Sequence, residues 1–127
     1  MSSLWERHNI EDRVIQILRE VEAGGHHFGR PFLTAYQLAI EFDRRHHDIV
    51  TQLDIEVGGA GTGEHVSLSQ YLARQLSGHI HSNPNYPIEG AFISNRFVTE
   101  LSYVFGQEHV TSSLTGTGLN LSMFRLR

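Results

Sequence analysis

The sequence changes its periodicity near residue 85, and that change constrains the fold more than any other feature. Before it, apolar residues recur at helical spacing; after it, they alternate with polar ones in strand fashion. Ile10, Val14, Ile17, Leu18 and Val21 form a helical stripe that begins after Asn9, a favoured N-cap residue, and ends at Gly24-Gly25. Thr34 with Gln37 forms a capping-box pair ahead of Ala35, Leu38, Ala39, Phe42, Ile49 and Leu53. That stripe is one long helix or two helices bent near Asp43 to His47. Ser67 with Gln70 is a second capping-box pair, followed by Leu68, Tyr71, Leu72 and Leu76, with Gly78 expected to close the helix.

Beyond "HSNPNYPIEG" the stretch "AFISNRFVTELSYVF" is rich in aromatic and β-branched residues, with "GQEH" and "TGTG" as hairpin turns. Three or four short antiparallel strands are therefore expected over 88–127, after a unit of three or four helices over 9–79. Helices first and strands last, within one domain of 127 residues, define an α+β fold. The aromatic residues of the β part, Phe92, Phe97, Tyr103, Phe105 and Phe124, read as core, with a strand edge left to pair across a dimer.

Composition removes several chemistries. There is no cysteine, so disulfides, thiolate catalysis and cysteine-zinc sites are excluded. No lysine is present either, and all ten basic residues are arginine, so Schiff-base chemistry and a lysine phosphate clamp are excluded. No apolar run reaches the roughly 20 residues of a membrane span, and "MSSLWERHNIEDR" lacks a signal-peptide core. A cytoplasmic protein without membrane contact is the expectation. The formal charge is −4, which disfavours broad nonspecific binding to nucleic acid. It is uneven: residues 1–64 hold 11 acids and six arginines, residues 65–127 three acids and four arginines.

The loop "GGAGTG" over 58–63 precedes the Ser67 helix and has the glycine spacing of a phosphate-binding loop. Glu64 and His65 stand where that motif needs lysine and a hydroxyl residue, so nucleotide hydrolysis is not expected. A glycine connector is the main reading, and a weak anion loop at Gly61, Gly63 and Ser67 is the alternative.

Nine histidines fall largely in pairs. On a strand, His79 and His81 would face one side, the most ligand-like geometry in the chain for a metal. The "HHD" at 46–48 resembles the His-Asp pair of HD-type metal phosphohydrolases, an all-helical family that requires further His and Asp ligands on other helices. As polar surface residues in a lysine-free chain, the histidines need no metal, and no cofactor is expected.

The order of helices followed by a hairpin resembles a winged helix-turn-helix domain over residues 10–105. "TAYQLAIEF", with Ala39 at the small buried position, is similar to the first helix of that motif, "SLSQYLARQLS" to its recognition helix and "AFISNRFVTELSYVF" to its wing. The resemblance implies that in a DNA complex Ser67, Ser69, Gln70 and Arg74 face the groove and Arg96 reaches in from the wing. Two features depart from it: the connection from Leu53 to Ser67 is long, and the helix carries little positive charge. Winged helices also bind proteins, and the acidic balance favours that use. A non-enzymatic interaction or regulatory module, binding a protein partner or itself as a homodimer, is therefore the leading reading. Sequence-specific DNA binding is the first alternative, and a histidine-rich metal protein or metal-dependent hydrolase the second.

Overall fold

The computed structural model describes residues 3–53, 67–94, 96–98, 100–113 and 121–127. It is an α+β architecture. Helices α1 (Leu4–Arg7), α2 (Ile10–Arg19), α3 (Ala35–Arg45), α4 (His47–Leu53) and α5 (Leu68–Ser82) precede strands β2 (Ile88–Ile93), β3 (Glu100–Phe105), β4 (Glu108–Ser113) and β5 (Leu121–Leu126), while a short β1 (Leu33–Thr34) lies between α2 and α3. Among the described residues no helix is long and apolar enough to cross a membrane.

The helical stripes become the core. Ile10, Val14, Ile17 and Leu18 of α2, Leu38, Ala39 and Phe42 of α3, and Leu68, Leu72 and Leu76 of α5 are buried together with Ile88 and Phe124 of the sheet. Both capping boxes form. Thr34 Oγ1 accepts from the Gln37 amide (3.2 Å) and Gln37 Oε1 from the Thr34 amide (2.7 Å). Ser67 Oγ accepts from the Gln70 amide and Gln70 Oε1 from the Ser67 amide, each at 3.3 Å. The Thr34 stripe resolves into two helices, parted at His46 (φ −133°, ψ 45°).

Two helix ends differ from expectation. Asn9 makes no side-chain cap and takes a left-handed conformation (φ 54°, ψ 42°). With α1 ending at Arg7, the chain must reverse into α2 within two residues, and asparagine tolerates that conformation better than most side chains. Helix α5 does not stop at Gly78 but continues to Ser82. Gly78 keeps an ordinary negative φ, and the last turn is held by Ile80, which packs on the core, and by the ring of His79. Tertiary packing there outweighs the roughly 1 kcal/mol helix penalty of glycine.

Strands β1, β5 and β2 form an antiparallel sheet in that order, with Phe124 opposite both Leu33 and Gly90. Gly90 has a packing reason: a Cβ there would lie 3.3 Å from Ile80 Cδ1, so its absence lets α5 approach the sheet. Ile88, Gly90 and Phe92 share one face of β2 by alternation. Ile88 is buried, Gly90 meets α5, and Phe92 is 67% exposed, so the strand outruns the helices that cover it.

Strands β3 and β4 make a separate hairpin, inserted between β2 and β5. Its turn lies within the expected "GQEH" but is only two residues, Gly106-Gln107, with Gly106 at φ 59° and Glu108 and His109 already in β4. The hairpin rests on the helices through Tyr103, whose ring stacks on Tyr36 (5.6 Å, 16°) and whose hydroxyl accepts from Thr34 Oγ1 (3.2 Å). The reading of the aromatic β residues as core is corrected: Phe124 is buried, Tyr103 and Phe105 are half-buried, and Phe92 and Phe97 are exposed. For Phe97 the cause is the break between β2 and β3, where it adopts φ 64° and stands 96% exposed.

Candidate functional site

Helix α5 presents Gln70, Arg74, Ser77, Gly78 and His81 to solvent, while Leu68, Leu72 and Leu76 anchor its other face. Positions 70, 74, 77 and 81 follow the i, i+4, i+7, i+11 spacing of a single helical stripe. Ser67 and Ser69 do not join it. Both are buried, their hydroxyls 3.0 Å apart, and Ser67 serves the cap. A cap hydroxyl must point back at the helix end, which withdraws it from the outer face. Gln70 divides its role, its carbonyl oxygen held by the Ser67 amide and its NH2 group free to donate outward.

Arg74 makes no hydrogen bond or ion pair among the described residues. The guanidinium of Arg96 lies over the Phe97 ring, 5.4 Å from its centroid, and takes no carboxylate partner among the described residues. By contrast Arg45 bridges Glu20 and Glu41, and Arg125 bonds Glu89 and the backbone carbonyls of Phe28 and Arg30. Helix α5 contains no acid, so its stripe is polar and weakly positive.

Close to this stripe in the chain lie the exposed apolar groups Phe92 (67%), Phe97 (96%) and Val104 (62%). Residue type alone misses them, because an aromatic in a strand is normally covered. The legible signal was "ISNRF", a polar run that breaks the alternation and predicts that Phe97 leaves the sheet. What these groups offer chemically is recognition: amide, guanidinium and imidazole donors on α5, and exposed apolar groups in the segment 92–104.

The histidines fall elsewhere. His79 and His81 sit on the last turn of α5 rather than on a strand, and two helical positions lie about 200° apart, so they do not share a face. His79 is half-buried between Trp5 (5.5 Å, 26°) and Tyr86 (5.4 Å, 12°), both stacked on it, whereas His81 is exposed. Tyr86 donates its hydroxyl to Glu11, and its pKa is pushed up by burial and by that carboxylate. In "HHD", His46 faces Arg13 and His47 faces Asp43 (2.8 Å), so the pair separates. Among the described residues no three His, Asp or Glu side chains converge as a metal-ligand set. The glycine loop, with Gly61 and Gly63, lies outside the described residues. No known protein family, characterised protein or solved structure matches this chain.

Proposed function

We propose that the chain is a non-enzymatic recognition module of winged-helix type, which binds a protein partner or a second copy of itself through the outer stripe of α5 and the apolar segment from Phe92 to Val104. The observation that carries this reading is the exposure of Phe92, Phe97 and Val104 within one short segment. Apolar groups so placed gain about 1.5–3 kcal/mol each when a partner removes them from water, enough to supply the centre of an interface. The chain order supports the winged-helix comparison: helix, β1, helices, β2, an inserted hairpin and β5, in a sheet ordered β1-β5-β2. In that layout α5 takes the recognition position and the β3–β4 hairpin the wing.

Sedimentation velocity from about 1 to 100 μM, with affinity capture from native lysate, tests it. A concentration-dependent dimer or a stoichiometric partner is expected for the wild type and lost in Phe92→Ser/Phe97→Ser. A wild type that stays monomeric and captures the same proteins as the double variant would sink the proposal.

Duplex DNA is the second reading, favoured by one observation: Arg74 on α5 and Arg96 near the hairpin are both without an acidic partner among the described residues. Phosphate contacts by two arginines predict a log–log salt slope near −2, falling by about one unit with each arginine removed. Absence of any shift at 50 mM salt refutes it.

A further inference from the structure

Where α1, α2 and the α3–α4 junction meet, a polar cavity of about 260 Å³ is lined by Arg7, His8, Arg13, His46, Asp48 and Gln52. Its fixed point is Arg13, which is half-buried. Nε donates to the His8 carbonyl (3.0 Å) and Nη1 to His46 Nδ1 (3.2 Å). Both acceptors are neutral, and Arg13 forms no ion pair with a carboxylate among the described residues. A guanidinium can only donate, so His46 accepts at Nδ1 and carries its proton on Nε2. Burial and the neighbouring Arg13 charge both lower the His46 pKa, consistent with this neutral tautomer, while Asp48 opposes and Arg45 adds to that effect.

A cation withdrawn from water is costly unless a counter-charge meets it. Here two hydrogen bonds hold the guanidinium in place but neutralise nothing, and Nη2 has no acceptor among the described residues. Arg7 adds a second guanidinium to the wall, and His8, His46 and Gln52 add polar groups. Arginine donors in a fixed fork match the oxygens of a tetrahedral anion. We infer that this cavity is a binding site for a phosphate-type oxyanion, with Arg13 as its oriented donor. Asp48, exposed on the same wall, opposes the anion and keeps the affinity moderate. The site lies apart from the α5 stripe and does not depend on the proposed recognition function.

Thermal unfolding of the full chain at pH 7 tests the inference, with inorganic phosphate titrated against sodium chloride at matched ionic strength. The melting midpoint is expected to climb with phosphate, by about 5 °C at tenfold over the dissociation constant. Arg13→Gln weakens binding about tenfold or more. Asp48→Asn tightens binding about threefold. Phosphoserine in place of inorganic phosphate identifies the source: equal or tighter binding points to a phosphomonoester, and binding of the inorganic ion alone to free phosphate. A midpoint that does not separate phosphate from chloride overturns the inference, as does a full wild-type response in Arg13→Gln.

Discussion

Tyr103 carries the attachment of the β3–β4 hairpin to the helices, and its removal should free the hairpin while leaving the core folded. Its ring stacks on Tyr36 at 5.6 Å, an arrangement worth about 0.5–1.5 kcal/mol. Its hydroxyl accepts from Thr34 Oγ1, which contributes about 1 kcal/mol. Tyr103→Ala therefore lowers the free energy of local opening by about 2 kcal/mol, and amide exchange across 100–113 should quicken about 30-fold. Tyr103→Phe keeps the ring and loses only the hydrogen bond, so about fivefold is expected. Thr34 Oγ1 still caps α3 in both variants, because its bond to the Gln37 amide is separate. Hydrogen exchange read by mass spectrometry compares the hairpin with α5 in the same molecule. Equal acceleration in α5 would show that Tyr103 supports the whole fold, and unchanged exchange in 100–113 would show that it does not hold the hairpin; either refutes the reasoning.

The acid limb of stability should carry the signature of Glu41. Hydrogen bonding from Arg44 first, then Arg45, holds its carboxyl down to about 2 from 4.5, against the opposing effect of burial. A depressed folded-state pKa stabilises fully above about 4.5 and is lost as pH falls toward 2; with Arg44 largely exposed, we expect about 1 kcal/mol, visible as a urea midpoint that falls less in Glu41→Gln than in the wild type. Ser67→Ala removes the α5 cap and one of the two side-chain partners of the buried Ser69 hydroxyl, which keeps its bond to Tyr36, a loss of about 1 kcal/mol in denaturant unfolding, whereas the exposed Ser77→Ala should be neutral. A similar cost for both variants would contradict the capping account. His79→Ala takes the middle ring from between Trp5 and Tyr86, costing about 1–2 kcal/mol. Trp5 is the single tryptophan, so its emission should move to longer wavelength, and an unchanged spectrum would argue that the stack is not populated.

Much of the helical half was legible because its signals are local. Thr34 with Gln37 and Ser67 with Gln70 declare their helix starts within four residues, and the apolar spacing of α2 declares its buried face. Other features depend on contacts between segments far apart in sequence. Gly78 reads as a terminator until Ile80 is seen against Gly90, and His79 with His81 reads as a ligand pair until Trp5 and Tyr86 are placed on either side of His79. Phe92 reads as core until the reach of the helical layer is known. Of the candidate surface, Gln70, Arg74 and Arg96 were legible as side chains able to reach outward, while Ser67 is turned inward by its capping role and Ser69 by its bonds to Ser67 and Tyr36.

The pairing of β1 with β5 also sets an order of events in time. Leu33 cannot find Phe124 until the chain between them has closed a long loop, whereas β3 and β4 meet across two residues. Such distant pairings slow folding, and local hairpins form within microseconds. The hairpin and helices should therefore exist fleetingly before the sheet, and the arrival of Phe124 between Leu33 and Gly90 should coincide with the rate-limiting barrier. Phe124→Leu then slows refolding more than it speeds unfolding, and stopped-flow traces showing the reverse would place sheet closure after the barrier.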